Sequence, residues 1–124
     1  MGISGENGYI VPLNKGATGK ALLAAQSDDL VANLIKDYSS EEEGLWNQIN
    51  EIRQKGYCIS EGEVDDGVAA VAVPLPMPEC IYTLSYSGPV ERMRALDYNV
   101  LVQSLQQAVK NIVLKCDGKR KELI

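Results

Sequence analysis

Two serines, Ser85 and Ser87, are the side chains whose type and spacing are best suited to binding chemistry. They lie in the segment 81–92, which reads IYTLSYSGPVER and ends its alternation at a Ser-Gly-Pro turn. Because successive side chains of a strand point to opposite faces, Ile81, Thr83, Ser85 and Ser87 are predicted to share one face. A hydroxyl both donates and accepts hydrogen bonds, so two of them at the end of a sheet face can hold a small polar ligand. A solvated face without a ligand is the alternative.

The residue types disfavour most catalytic mechanisms. The chain has no histidine, which is the side chain most often used as a general base and as a metal ligand. Its cysteines, Cys58, Cys80 and Cys116, are odd in number and lack CxxC spacing, which favours reduced thiols over a disulfide framework or a zinc site. We therefore predict that the chain is not an enzyme and holds no metal or cofactor. A thiol-dependent redox enzyme that uses Cys58 or Cys80 is the enzymatic alternative.

Two other motifs fail when their spacing is checked. The loop 16–20 (GATGK) resembles part of a phosphate-binding loop, but Asn14 and Ala21 stand where glycine and a hydroxyl residue are needed. We predict a tight entry into a helix, with Lys20 in solvent. The acidic segment 61–67 (EGEVDDG) does not have the ligand spacing of an EF-hand, so a solvated turn is predicted.

Composition indicates one soluble globular domain. The 124 residues are 45% hydrophobic and 23% charged, with a net charge of −5. The basic cluster 119–121 is too short for a nucleic-acid footprint. No apolar run reaches membrane-spanning length and no signal peptide is recognisable, so we expect a cytoplasmic protein without membrane contact.

Helical periodicity dominates the first half of the chain. The predicted elements are a strand over 9–13 and helices over 16–25, 27–37 and 40–55. Ser27, followed by two aspartates, is a suitable N-cap for the second helix. Ser40 and Glu43 form a capping box for the third helix, and Gly56 is expected to end it.

The second half changes to strand periodicity and then to one long helix. The predicted elements are strands over 57–60, 68–74 and 79–87 and a helix over 94–116, which Gly118 ends. The small apolar run VAAVAVP (68–74) is typical of a strand covered on both faces, and its short connection to the next strand predicts an antiparallel hairpin. The fold class predicted is α+β, an antiparallel sheet flanked by helices. We expect a flexible start over 1–8, a domain over 9–117 and a polar tail over 118–124.

Four segments occur in an order that identifies a resemblance. They read VPLNKGATGKALLAA, INEIRQKGYCISEGEVDDGVAAVAVPL and CIYTLSYSGPVERM, followed by the final amphipathic helix. Together they resemble the C-terminal effector-binding domain of the IclR (isocitrate lyase regulator) family of bacterial transcription regulators, over roughly residues 9–117. The resemblance implies a GAF/PAS-like architecture and a pocket over one end of the sheet that binds a small organic or aromatic acid.

The resemblance also implies the residues of the pocket. Carried over by position, they are Ala17, Thr18, Ser60, Val68, Ala70, Ser85 and Ser87. Leu13, Val68 and Val71 are the expected apolar wall. A helix N-terminus favours an anion, and the hydroxyls are expected to complete its hydrogen bonds. Asn14 replaces the histidine usual in the family.

Family members carry a winged helix-turn-helix, a linker helix and further elements before the first of these segments. We therefore expect the effector domain to be incomplete at its N-terminal side, with DNA bound by an N-terminal domain that this sequence lacks and not by this chain. An unpaired sheet edge invites pairing, so at least a homodimer is expected. A structural dimerisation module that binds no ligand is the remaining alternative.

Overall fold

The computed structural model describes residues 2–4, 10–75 and 82–123. Cys80 and the first residues of the predicted strand 79–87 lie outside the described residues, as does most of the predicted flexible start. The strands are β1 (Gly2–Ser4), β2 (Ile10–Pro12), β3 (Cys58–Glu61), β4 (Val68–Pro74) and β5 (Thr83–Pro89). The helices are α1 (Ala17–Ala24), α2 (Asp28–Ile35), α3 (Glu42–Lys55), α4 (Val90–Leu96) and α5 (Tyr98–Leu123).

A three-stranded antiparallel sheet is the centre of the fold. Its strand order is β3-β4-β5, while β1 and β2 form a separate antiparallel pair. The register places Ser60 opposite Ala70, and Ala70 opposite Ser87. The antiparallel hairpin and the α+β class predicted from the sequence are confirmed.

Caps explain where α2 begins and where α3 ends. The Ser27 hydroxyl accepts the backbone N–H of Leu30, as expected of an N-cap, and α2 begins at the next residue. Gly56 ends α3 in the left-handed conformation, with φ of 81°, which glycine adopts without strain. The capping box predicted at Ser40 is wrong, because a 3₁₀ segment (Lys36–Glu41) carries the chain from α2 into α3 and makes Glu41 the N-cap.

The single helix predicted over 94–116 is two helices. Asp97 interrupts it with φ of 69°, a conformation that L residues rarely adopt. Its carboxylate accepts the backbone N–H of Asn99 at 3.0 Å and so caps the start of α5. Gly118 does not end this helix, which continues to Leu123.

Apolar residues are buried on both faces of the sheet. On one face α1, α2 and α3 pack around Ala21, Val31 and Ile49 against Ala72. On the other face α4 and α5 pack against Val71 and its neighbours. Strand β4 is therefore covered on both faces, as its small apolar residues predicted.

Candidate functional site

The predicted pocket residues of the sheet lie on the face that carries α1. Ser60, Ala70 and Ser87 form one row across the three strands. Ser85 lies opposite Ala72 in a neighbouring row, and Val68 lies at the start of β4, where it is 40% exposed. The alternation of β5 is as predicted, with Ser85 and Ser87 on one face and both exposed.

Ser60 joins β3 directly to the start of α1. Its Oγ accepts the backbone N–H of Ala17 at 3.1 Å, and both residues are buried. Gly16, the N-cap residue, has no side chain to cap the helix, so Ser60 serves this purpose from another element. The Ser60 hydroxyl keeps its own proton and can still donate it to an acceptor placed nearby.

The first turn of α1 is favourable for an anion. The N–H groups of a first helical turn have no acceptor within the helix, and the helix dipole places partial positive charge there. No acidic side chain lies in this turn to compete, and Thr18 is half-buried beside Ala17. Helix α1 contacts all three strands of the sheet, and its first residue is hydrogen-bonded to Ser60, one end of the row of small residues.

The three hydroxyls are too far apart to converge on one carboxylate. Ser60 and Ser87 lie on strands separated by β4, and two strand spacings amount to about 10 Å. Ser60, Ser85 and Ser87 were expected to complete the hydrogen bonds of one anion. The geometry favours instead a site with two separate polar ends. One end lies at Ala17 and Ser60, and the other lies at Ser85 and Ser87.

The predicted apolar wall is partly wrong. Val71 points to the opposite face of the sheet, where it is fully buried against Met93 and Val102. Its neighbours Ala70 and Ala72 point to the α1 side, because side chains alternate along a strand. Leu13 is buried with Ala17 in the core beneath α1 and β3.

Lys20 is not in solvent, contrary to the prediction. The residue is 7% exposed, and its ammonium lies 2.7 Å from the carboxylate of Glu63. Glu63 belongs to the acidic turn between β3 and β4, so this ion pair ties the turn to α1. Asn14 is also engaged, because its amide donates to Glu41 at 2.9 Å.

Glu61 anchors the same turn on the other face of the sheet. Its two oxygens accept hydrogen bonds from the Arg94 guanidinium, both at 2.8 Å, and one of them also accepts the Tyr98 hydroxyl. These hydrogen bonds lower the pKa of Glu61 to about 2. The acidic segment is therefore not a simple solvated turn, since two of its carboxylates are paired with different helices.

Cys58 is poorly suited to thiol chemistry, and the described residues form no metal site. Burial raises the pKa of the Cys58 thiol to about 11, so the reactive thiolate is scarce at neutral pH. No group of three or more histidine, cysteine, aspartate or glutamate side chains within the described residues could hold a metal ion.

A groove lies away from the predicted pocket. Its volume is about 590 Å³, and it lies between the ends of α1, α3 and β4 and the middle of α5. Arg53 lines it, but its guanidinium already donates to the carbonyls of Ala24 and Gln26 and to Asp28. The groove contains none of the predicted pocket residues and offers no unpaired charge from Arg53.

The two ion pairs of the acidic turn are the features that sequence reasoning missed. A signal for Lys20 was present, because positions 17, 20, 21 and 24 fall on one face of a helix and three of them are alanine. Strand alternation, continued one residue beyond the predicted strand 57–60, would place Glu61 on the face opposite Ser60. Nothing local in the sequence indicated that Arg94 and Tyr98 would meet it there.

Comparison with known proteins places the chain among regulator domains. The family model of the bacterial transcriptional regulator IclR C-terminal region matches residues 3–114. No curated protein matches the sequence of the chain. None of the helices in the described part of the chain is long and apolar enough to cross a membrane.

Solved structures share the fold. The C-terminal domain of the Escherichia coli transcriptional regulator KdgR is 28% identical with a TM-score of 0.65, over 85% of this chain and 71% of that one. The C-terminal domain of a putative transcriptional regulator from Vibrio cholerae is 22% identical with a TM-score of 0.69, over 83% of this chain and 65% of that one. This chain thus spans slightly less than two thirds of the Vibrio domain.

A third similar structure contains a small acid. It is a double mutant of the inducer-binding domain of the transcription factor PobR from Acinetobacter, in complex with 3-hydroxybenzoic acid. It is 21% identical with a TM-score of 0.68, over 89% of this chain and 71% of that one. At this identity the similarity shows the fold.

Proposed function

Because the chain belongs to the IclR C-terminal family of bacterial transcriptional regulator domains, we propose that it senses a small carboxylic acid. The acid binds over the α1 side of the sheet and, in an intact regulator, changes the arrangement of DNA-binding domains carried by the same protein. The family consists of regulator domains and not of enzymes, in agreement with the sequence prediction. A regulator of transcription acts where the DNA is, so we place its action in the bacterial cytoplasm.

One observation carries this proposal: the first residue of α1 lies against a row of small residues that ends in the exposed hydroxyl of Ser87. Ala17 and Ser60 are joined by a hydrogen bond, and the row continues through Ala70 to Ser87. Ala70 is small and only partly buried, and it lies between Ser60 and Ser87 in this row. A carboxylate at the helix N-terminus is stabilised by the local positive potential and by the Ser60 hydroxyl.

The distance between the two polar ends of the site narrows the class of ligand. A polar end at α1 and Ser60 and a second at Ser85 and Ser87, about 10 Å apart, suit an acid that carries a second polar group on its far side. Hydroxybenzoates and longer hydroxy or keto diacids have this form. The PobR domain, which has the same fold, is in complex with 3-hydroxybenzoic acid, and this acid has a polar group at each end.

The test is a calorimetric titration of the chain with 3-hydroxybenzoate, benzoate, malate and pyruvate, with 3-hydroxybenzamide as a neutral control. We expect a two-ended acid to bind more tightly than benzoate or pyruvate, and the amide not to bind. Ser87→Ala should weaken binding of 3-hydroxybenzoate by about fivefold, the value of a net hydrogen bond near 1 kcal/mol. Ser104→Ala, the same change on an exposed position of α5, should leave binding unchanged.

A second candidate is an assembly module that binds no ligand. It is favoured by the free edge of β5, which pairs with β4 and with no other strand among the described residues. Stable folding without binding of any acid, together with self-association, would favour this function. We propose that the sensor itself is at least a dimer, because an unpaired edge strand is a surface for pairing.

A further inference from the structure

We propose that β3 and the turn after it couple the α1 side of the sheet to the junction of α4 and α5, and that Glu61 is the positioning residue of this coupling. The inference rests on the proposed function, since it describes how occupancy of that site reaches the opposite face of the sheet. It assigns a regulatory role to a carboxylate on the face of the sheet opposite the proposed ligand site.

The first step is the position of two consecutive residues on one strand. Ser60 and Glu61 point to opposite faces of β3. Ser60 accepts the Ala17 N–H at 3.1 Å, so it moves with the start of α1. Glu61 accepts hydrogen bonds from Arg94 and Tyr98, so it moves with the helices on the other face. A displacement of this end of β3 therefore acts on both faces.

The second step concerns the partners of Glu61. Arg94 lies on α4 and Tyr98 begins α5, so one carboxylate bridges the break between the two helices. The residue between them is Asp97, whose φ of 69° is rarely adopted by L residues. A strained junction held from outside by a bidentate pair is an element that can change its geometry when the pair is moved.

The third step is the anchoring of the turn to α1. Glu63 pairs with the buried Lys20 of α1 at 2.7 Å. Gly16, just before α1, lies directly under this turn, because a Cβ added there would come within 2.8 Å of Val64 Cγ2. The start of α1 is thus in contact with the strand and with the turn that hold Glu61.

These contacts have a reciprocal consequence. A ligand that rearranges the Ala17–Ser60 contact changes the stability of the α4–α5 junction, and a change at the junction alters the start of α1 to the same free-energy extent. The second direction can be measured without any ligand, which separates this inference from the proposed function.

The first experiment is hydrogen exchange of the ligand-free protein and its Glu61→Gln variant. We expect amides at the junction (97–101) and in the first turns of α1 (17–20) to exchange at least threefold faster in the variant. Amides in the middle of α3 should keep their rates, which shows that the change is not global. Glu91→Gln, the same change at an exposed position of α4, should affect neither region.

Faster exchange confined to the junction overturns the coupling, and unchanged exchange in both regions overturns the role of Glu61. Tyr98→Phe removes one of the hydrogen bonds and keeps the ion pair, so it serves if Glu61→Gln does not fold. It should show the same pattern with smaller changes.

The second experiment adds 3-hydroxybenzoate as the probe. In the parent chain we expect it to alter exchange at both α1 and the junction, and in Glu61→Gln to alter it at α1 alone, with affinity changed by about fivefold. A probe that binds at α1 and leaves the junction unchanged overturns the coupling while the sensor function stands. If none of the acids binds, the sensor function fails, and the ligand-free exchange still decides the coupling.

Discussion

Removal of the Ser60 hydroxyl, which accepts the backbone N–H of Ala17, is the sharpest test at the scale of a residue. Ser60→Ala leaves the buried N–H of Ala17 without its acceptor. A buried donor left unsatisfied costs about 1–3 kcal/mol, so we expect the free energy of unfolding to fall by about 1–2 kcal/mol in urea denaturation. Ser104→Ala should change it by less than about 0.5 kcal/mol. A loss equally small for Ser60→Ala would mean that water replaces the hydroxyl.

Substitution of Lys20 and substitution of Glu63 should lower the free energy of unfolding by different amounts. Glu63→Gln leaves a charged ammonium buried without a carboxylate, whereas Lys20→Met leaves a carboxylate whose side chain is 33% exposed and can be hydrated. We expect Glu63→Gln to lower the free energy of unfolding by about 1–3 kcal/mol, and Lys20→Met to cost distinctly less.

Urea denaturation of the two variants measures this difference. Asp66→Asn, which removes a carboxylate from an exposed position of the same turn, is the matched control and should be nearly neutral. Equal losses for the two partners would contradict the reading of Lys20 as the buried member of the pair.

At this scale the sequence predicted the face or burial of a side chain better than the residue with which it pairs. The shared face of Ser85 and Ser87 follows from alternation alone, and the structure agrees. The burial of Lys20 was also accessible from helical spacing. Its partner Glu63 was not, since the ion pair joins residues 43 positions apart and depends on how the sheet and α1 pack.

At the scale of elements, Asp97 combines a strained backbone with a useful side chain. It is the N-cap of α5, and glycine at an N-cap costs only a few tenths of a kcal/mol while alanine costs about 0.5–2 kcal/mol. Glycine also adopts a positive φ freely. We therefore expect Asp97→Gly to unfold with nearly the parent free energy and Asp97→Ala to lose about 1–2 kcal/mol, as measured by urea denaturation. Equal stabilities would show that neither the cap nor the backbone conformation matters.

The extent of each element could be predicted where a local signal acts alone. Gly56 ends α3, and the small apolar run of β4 has the bounds expected of it. The break at Asp97 could not be predicted from periodicity, because residues 94–97 lead into the apolar stripe that begins at Tyr98 without a glycine or proline between them. Tertiary contacts of Arg94 and Tyr98 with Glu61 hold the two helices in their separate positions.

At the scale of the whole molecule, the hydrogen bonds of Glu61 with Arg94 and Tyr98 predict that stability depends on pH in the acid range. Its folded pKa of about 2 is below the ordinary value of 4.5, so its stabilisation is complete above about pH 4.5 and is lost as the pH falls towards 2. The free energy of unfolding of the parent chain should exceed that of Glu61→Gln at pH 7, and the difference should shrink between pH 4.5 and 2.

Urea titrations of the two proteins at several pH values measure this difference. Carboxylates other than Glu61 are common to both proteins, so their titration cancels in the comparison. A difference that stays constant over this range would show that the carboxylate charge of Glu61 does not hold the junction.

The free edge of β5 gives the last prediction, which concerns assembly. The backbone hydrogen bonds of Val90 to Gly67 and of Leu75 to Tyr82 fix the alternation of the ladder. The backbone groups of Thr83, Ser85 and Ser87 therefore point away from β4, towards a partner strand.

Thr83 is the first residue of β5, a position where proline is tolerated. Thr83→Pro removes one outward N–H and no bond to β4. If dimers pair along this edge, their dissociation constant should rise about fivefold or more in sedimentation equilibrium, the value of about one net hydrogen bond. Thr83→Val keeps the N–H and should dimerise like the parent chain. Monomers at every concentration of the parent chain would refute the dimer, and equal dissociation constants for the two variants would place its interface on another surface.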